Sequence, residues 1–264
     1  MIRFTAVAIL MLSLPMPMRL AAESTISLTD WTGRGFVDDV VSYRYAGKGT
    51  QASLCLTDPN GKIIPVQLDQ EDGKPVVLFV AHLPANKTLA YQLSDAGGGA
   101  APASPVAVAS EGKNLVLRGG KAAVRLPASG RQVFAKPVAW KDLPPPIQGF
   151  TRGDGTWLGG GKMLGDLTVS ALAVAIVAQG PVRASARYQV TFSSGGSYKA
   201  LISVDQGLPL IRVEETYDLK QDGVPVSWDL DLTNGWSPKQ IETASVSRNG
   251  QGDAGATMPS GSSV

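Results

Sequence analysis

Asp229 and Asp231, two positions apart in VSWDLDL, share one face of an extended segment. They stand roughly 7 Å from each other by strand rise, a spacing that suits a calcium site or a glycosidase acid pair. Val226, Trp228, Leu230 and Leu232 take the other face, so solvation of an outer face accounts for both carboxylates without chemistry. Glu214 and Glu215 are adjacent on one strand, hence on opposite faces, and cannot act together. Arg212, Glu214 and Thr216 line up as a polar face suited to a cross-strand ion pair. His82, in VLFVAHLPA, and Cys55, in ASLCL, are the single histidine and the single cysteine. Zinc sites and Ser-His-Asp or Cys-His arrangements cannot be assembled from them in the usual way, and Cys55 between two leucines reads as a buried, inert thiol. Gly159-Gly160-Gly161-Lys162 fails as a phosphate loop, because Thr156 stands where the first glycine belongs and Met163 follows the lysine. No catalytic residue, metal ligand or cofactor is assigned.

Aromatic residues offer a different chemistry. Of the five tryptophans, Trp157 in GDGTWLGGG and Trp236 after Asn234-Gly235 lie beside loop residues. An exposed ring can stack on the apolar face of a sugar while nearby polar groups fix its orientation, so Trp157 and Trp236 are the candidate substrate-binding residues. The competing structural reading for each is a ring tucked over a sheet edge. Trp228 belongs to the core by its place on the apolar face.

The elements that would position these rings are strands. Glycine (30) and proline (18) together exceed the average usage of roughly 12% and exclude a helical bundle. Charged residues make up 17%, against roughly 25% in average chains, and 44% of residues are hydrophobic, which excludes wholesale disorder. Arg3, the apolar run Phe4–Met16 and the small residues Ala21 and Ala22 have the layout of a secretory signal peptide. The run is too short, and too broken by Pro15 and Pro17, to span a bilayer. Residues 1–22 are therefore expected to be removed on export to a periplasmic or extracellular space, with no membrane attachment afterwards. Without Arg3 and Arg19, basic and acidic residues balance, which argues against a nucleic-acid partner.

From Trp31 to Leu93 the chain reads as five short strands, with a tight turn at Asp58-Pro59-Asn60-Gly61, so residues 23–94 form a small β domain. SDAGGGAAPASP marks a linker, placed at 95–110. A hairpin through Gly119-Gly120 opens a second domain, 111–250. A long proline- and glycine-rich loop, Lys141–Gly161, interrupts it, and TVSALAVAIVA, VRASARYQVTF, YKALISV and LIRVEETYDL follow as strands, with VSWDLDL a fifth. The strand at Val169–Ala178 reads as buried. Residues 251–264 read as a flexible tail. The expected fold class is all-β: a small β-barrel or sandwich followed by a larger antiparallel β-supersandwich.

In order, VVSYRY, DPNGKIIPVQLD, VLFVAHLPANKTLAYQL, LVLRGGKAAVRLP and GPVRASARYQVTFSSGGSYKALISVDQGLPLIRVEETYDL resemble the N-terminal β modules of secreted bacterial polysaccharide-degrading proteins. The group in view is the exo-rhamnogalacturonan-lyase-like family. The resemblance implies a RIFT-type barrel followed by a galactose-mutarotase-like supersandwich, a polysaccharide or oligosaccharide partner, and a chain that continues past Val264. It transfers no catalytic signature. Two functions follow as expectations: a lyase- or glycosidase-like enzyme of polysaccharide degradation, and a non-catalytic carbohydrate-binding or structural module. In a lyase, Tyr188, Tyr198 and His82 are the residues available to take a proton.

Overall fold

Alternating apolar and polar residues build two successive β units, and the computed structural model describes them over residues 23–71, 73–95, 103–151, 155–220 and 226–231. The leader, the middle of the linker, Trp236 and the 251–264 tail lie outside these residues. The first unit comprises β1 (Glu23–Thr29), β2 (Phe36–Arg44), β3 (Cys55–Thr57), β4 (Ile63–Ile64), β5 (Val66–Glu71), β6 (Lys74–Leu83) and β7 (Thr88–Ser94). They form two antiparallel sheets, β1-β7-β3-β4 and β2-β6-β5. Ile26, Leu56, Tyr91 and Leu93 of the first sheet meet Val66, Val77, Phe79 and Ala81 of the second in one buried cluster. Strand β1 was not read from the sequence; its few apolar residues, Ile26 and Leu28, are separated by serine and threonine. The turn at Asp58–Gly61 forms as expected, with Asp58 Oδ1 accepting from the backbone of Asn60 and Lys62 and Gly61 at φ 81°.

The second unit continues through β8 (Val106–Glu111), β9 (Asn114–Gly119), β10 (Ala123–Pro127), β11 (Gly130–Ala139), a 3-10 turn (Trp140–Asp142), β12 (Gly149–Thr151), β13 (Gly160–Leu164), β14 (Thr168–Gln179), β15 (Arg183–Phe192), β16 (Ser197–Asp205), β17 (Ile211–Asp218) and β18 (Ser227–Asp231). Its sheets are β12-β10-β9-β8, β11-β14-β15-β16-β17 and the pair β13-β18. The protein is thus all-β, built of antiparallel sheets packed face to face. Strand β8 takes up the last residues of the expected linker, because Val106 and Val108 pack on the second core.

Strand β15 fixes that core. Ala184, Ala186, Tyr188, Val190 and Phe192 are all at most 1% exposed, and they meet Leu115, Leu117, Val124 and Leu126 of the facing sheet. Each of the valines, leucines and Phe192 among them stabilises the fold by about 1.5–3 kcal/mol. Two expectations need correction. Strand β14 is not buried throughout: Val169, Leu172 and Val174 face the core, but a bulge near Ile176 turns Ile176 and Val177 to solvent. The stretch Lys141–Gly161 is not one long loop: Leu143, Pro145, Pro146 and Ile147 are buried, and β12 and β13 flank the turn. A Cβ on Gly161 would stand 2.7 Å from Pro145 Cγ, so this glycine serves close packing.

Candidate functional site

The hairpin LVLR-GG-KAAVRLP places two arginines on one surface. Leu115, Leu117, Val124 and Leu126 point into the core, so by strand alternation Arg118 and Arg125 emerge on the opposite face of the β12-β10-β9-β8 sheet. Glu111 at the end of β8 joins them: its Oε1 accepts from Arg118 Nη2 at 2.5 Å, and its Oε2 lies 4.0 Å from Arg125 Nη2. Two guanidinium groups share one carboxylate, which leaves the cluster cationic. All three side chains remain 30–42% exposed, so the pairing is partly screened by water.

Trp157 completes the surface. Reciprocal backbone hydrogen bonds between Phe150 and Leu158, at 2.8 and 2.9 Å, hold the neighbouring backbone against β12. The half-buried Trp157 ring lies with the Arg125 guanidinium carbon 3.7 Å from its centroid and that of Arg118 at 6.0 Å. This is a cation–π contact that sets the plane of the ring. Arg125 Nε is buried and has no hydrogen-bond acceptor among the described residues. The arrangement offers an oriented aromatic plane and guanidinium donors, which suits recognition of a polyhydroxylated or acidic ligand. Its one carboxylate, Glu111, is engaged by the two arginines.

Sequence reasoning singled out Trp157 but missed Arg118, Arg125 and Glu111. Their signal was present: each arginine breaks an apolar run at an outward position of the hairpin. Trp236, the other expected contact, lies outside the described residues. Trp228 is half-buried against the core, as its alternation implied, and donates from Nε1 to Glu215 at 2.6 Å. Asp229 is exposed on β18 opposite Lys162. Cys55 is half-buried, less enclosed than expected, because strand alternation turns it to the face opposite Leu56, which fills the core.

The two tyrosines considered for proton transfer are core residues. Tyr188 and Tyr198 are 0% exposed. Tyr188 donates to the Pro144 carbonyl at 2.8 Å, which anchors the triproline turn, and Tyr198 donates to Glu215 Oε1 at 2.5 Å. Burial raises both phenol pKa values above the ordinary 10, and at Tyr198 the Glu215 carboxylate raises it further. Neither phenol reaches a polymer in solvent. Glu215 also accepts from Tyr217, whose pKa is pushed up to about 12 by burial and by that carboxylate.

His82 differs: it is exposed on β6 and lines a cavity of about 530 Å³ with Asp38, Asp58, Lys62 and Tyr91. A second cavity, about 370 Å³, lies between the units, lined by Asp69, Glu71, Arg183, Arg212 and Glu214. The expected ion pairing of Arg212 takes a specific form, with Asp205 Oδ2 at 3.9 Å. Among the described residues no group of three or more His, Cys, Asp or Glu could hold a metal ion. The chain matches no protein-family model, and no curated protein matches it significantly.

Proposed function

We propose that this chain is an exported carbohydrate-binding β module of polysaccharide degradation, with the Trp157 surface as its contact. One observation carries the reading: the Trp157 ring is held 3.7 Å from Arg125 on the solvent side of a rigid sheet, beside a second arginine. A sugar ring presents an apolar face for stacking and hydroxyl or carboxylate groups at its edge for guanidinium donors. The order of strand motifs and the leader layout support polysaccharide as the ligand class and export as the fate. Affinity electrophoresis through gels containing pectic, xylan or glucan polymers tests the reading. Retardation by one polymer is expected, and Trp157→Ala should weaken it about tenfold, equivalent to ~1.4 kcal/mol. Unchanged retardation of a folded Trp157→Ala variant removes Trp157 from the site.

A lyase reading keeps one specific support, the cavity that gathers His82, Lys62 and Tyr91. There an imidazole could take the proton beside a uronate carboxylate whose charge a lysine offsets. Ultraviolet absorbance of unsaturated products from acidic polysaccharides, abolished by His82→Ala, is the expected sign. Absence of product across a panel of acidic polymers rejects it.

A further inference from the structure

We propose a second sugar-contact site in the first unit, the loop Trp31–Gly35, with Trp31 as its stacking platform. The proposal rests on the carbohydrate reading above and extends it to a second point of attachment. Trp31 is 89% exposed, the most exposed large hydrophobic residue among those described, and the strand that follows begins with Phe36 and Val37, themselves 38% and 70% exposed. A tryptophan left in water contributes almost nothing to folding.

The backbone beneath it is nevertheless tightly held. Asp30 is only 5% exposed, and its carboxylate accepts four hydrogen bonds. Oδ1 takes the Thr32 N–H at 2.9 Å and the Thr32 hydroxyl at 2.7 Å, while Oδ2 takes the Gly35 N–H at 3.0 Å and the Asn86 N–H at 2.9 Å. The Asp30 N–H donates to the Lys87 carbonyl at 3.0 Å. Gly33 and Gly35 adopt φ of 71° and 70°, and a Cβ on Gly35 would stand 2.9 Å from Ala85 N and from Leu83 O. The loop is thereby fastened to the β6–β7 turn, and its ring is displayed from a fixed backbone. Such preorganisation lowers the ordering cost of binding.

The surroundings select the occupant. Thr32, Arg34, Asn86 and Lys87, all exposed, belong to this loop and the turn that holds it. An exposed aromatic plane in a loop that also carries hydrogen-bonding groups fits a pyranose, which needs both. A protein partner would call for an interface centre depleted of charge, whereas Arg34 and Lys87 stand exposed in this loop and the turn that holds it.

The test uses the full chain, with cellohexaose, a pectic galactan oligosaccharide and an oligogalacturonide as probes in isothermal titration. Trp31→Ala should weaken the bound oligosaccharide about tenfold with an unchanged melting temperature, and Trp31→Phe should recover most of the loss. Loss in Trp31→Ala alone, with Trp157→Ala unaffected, supports this site and removes Trp157. Loss in Trp157→Ala alone overturns this site and leaves the carbohydrate reading standing. No binding of any probe by the parent chain overturns both. A blue shift of tryptophan emission with phosphatidylcholine vesicles that Trp31→Ala abolishes, without glycan binding, overturns it in favour of a lipid contact.

Discussion

Gln67 Oε1 accepts hydrogen bonds from the backbone N–H of Val182 at 3.1 Å, and of Arg183 at 2.7 Å, tying β5 of the first unit to the start of β15 in the second. Val182, buried at 0% exposure, packs there with Val76 and Leu78 of β6. Gln67 is itself buried, at 3% exposure, so its amide is a satisfied polar group between two β units.

Removing that acceptor leaves two backbone donors without a partner. Gln67→Ala should lower stability by about 1–3 kcal/mol, read as a shift in denaturant midpoint. Gly180→Ala should act at the same point, because a Cβ there would stand 2.2 Å from Gln67 Cδ. Midpoints equal to the parent chain for both variants would refute the clamp.

Arg183 and Asp205 form a more costly pair. The carboxylate is 1% exposed, and Arg183 Nε and Nη2 donate to its two oxygens at 2.6 and 3.1 Å. Burial pulls the guanidinium pKa down, but the bond to Asp205 and its charge, together with the charges of Asp69 and Glu71, outweigh this and raise it. Arg183→Met should destabilise by about 3 kcal/mol, since it takes both hydrogen bonds from a buried carboxylate and leaves only Arg212, at 3.9 Å, to offset its charge, whereas adding Asp205→Leu should restore much of the loss. A double-mutant cycle from denaturation curves measures this. Additive losses would show the pair to be uncoupled.

Asp30 gives a pH dependence. The Asn86 N–H, with the Thr32 hydroxyl and the Thr32 and Gly35 N–H groups, holds its carboxyl pKa well below the ordinary 3.8, against a smaller opposing effect of burial. A depressed acid stabilises fully above its unfolded pKa and loses that contribution as pH falls toward the folded value. The stability difference between the parent chain and Asp30→Ala should therefore be constant from neutral pH to about 5 and shrink below about 4. A difference that persists undiminished at the most acidic pH where both remain folded would contradict this.

The tyrosines set the alkaline limit. Burial raises the pKa of Tyr188 and Tyr198 and, with the Glu215 carboxylate, pushes that of Tyr217 up to about 12, so their protonated forms are favoured by folding. That contribution is complete below the ordinary phenol pKa of 10 and is lost above it. Phenolate absorbance should show Tyr188 and Tyr198 ionising only as the chain unfolds. Titration of all six tyrosines with a midpoint near the ordinary pKa of about 10 in the folded protein would exclude the buried geometry.

Much of the scaffold was legible in advance. Period-two alternation in VRASARYQVTF marked the core face of β15, and Asp-Pro-Asn-Gly and Gly195-Gly196 marked turns that form where expected. Strand β1 escaped because serine and threonine dilute its pattern, and Lys141–Gly161 misled because prolines and glycines serve packing as readily as they serve loops. Trp157 was legible as a tryptophan outside the strand alternation, but nothing in local pattern tied it to Arg118 and Arg125, which lie more than thirty positions away.

By itself, the order of residues determined an all-β chain, its strand faces and its turns, because those depend on backbone preference and on neighbours within a few positions. Only the tertiary structure decided that Tyr188 and Tyr198 are sealed hydrogen-bonded supports, that Gln67 joins the two units, and that Trp157 lies against Arg125 while Trp31 stands free in solvent. Burial and partnership arise from strands distant in sequence meeting across a sheet, and the type of a side chain carries no record of which strand will face it.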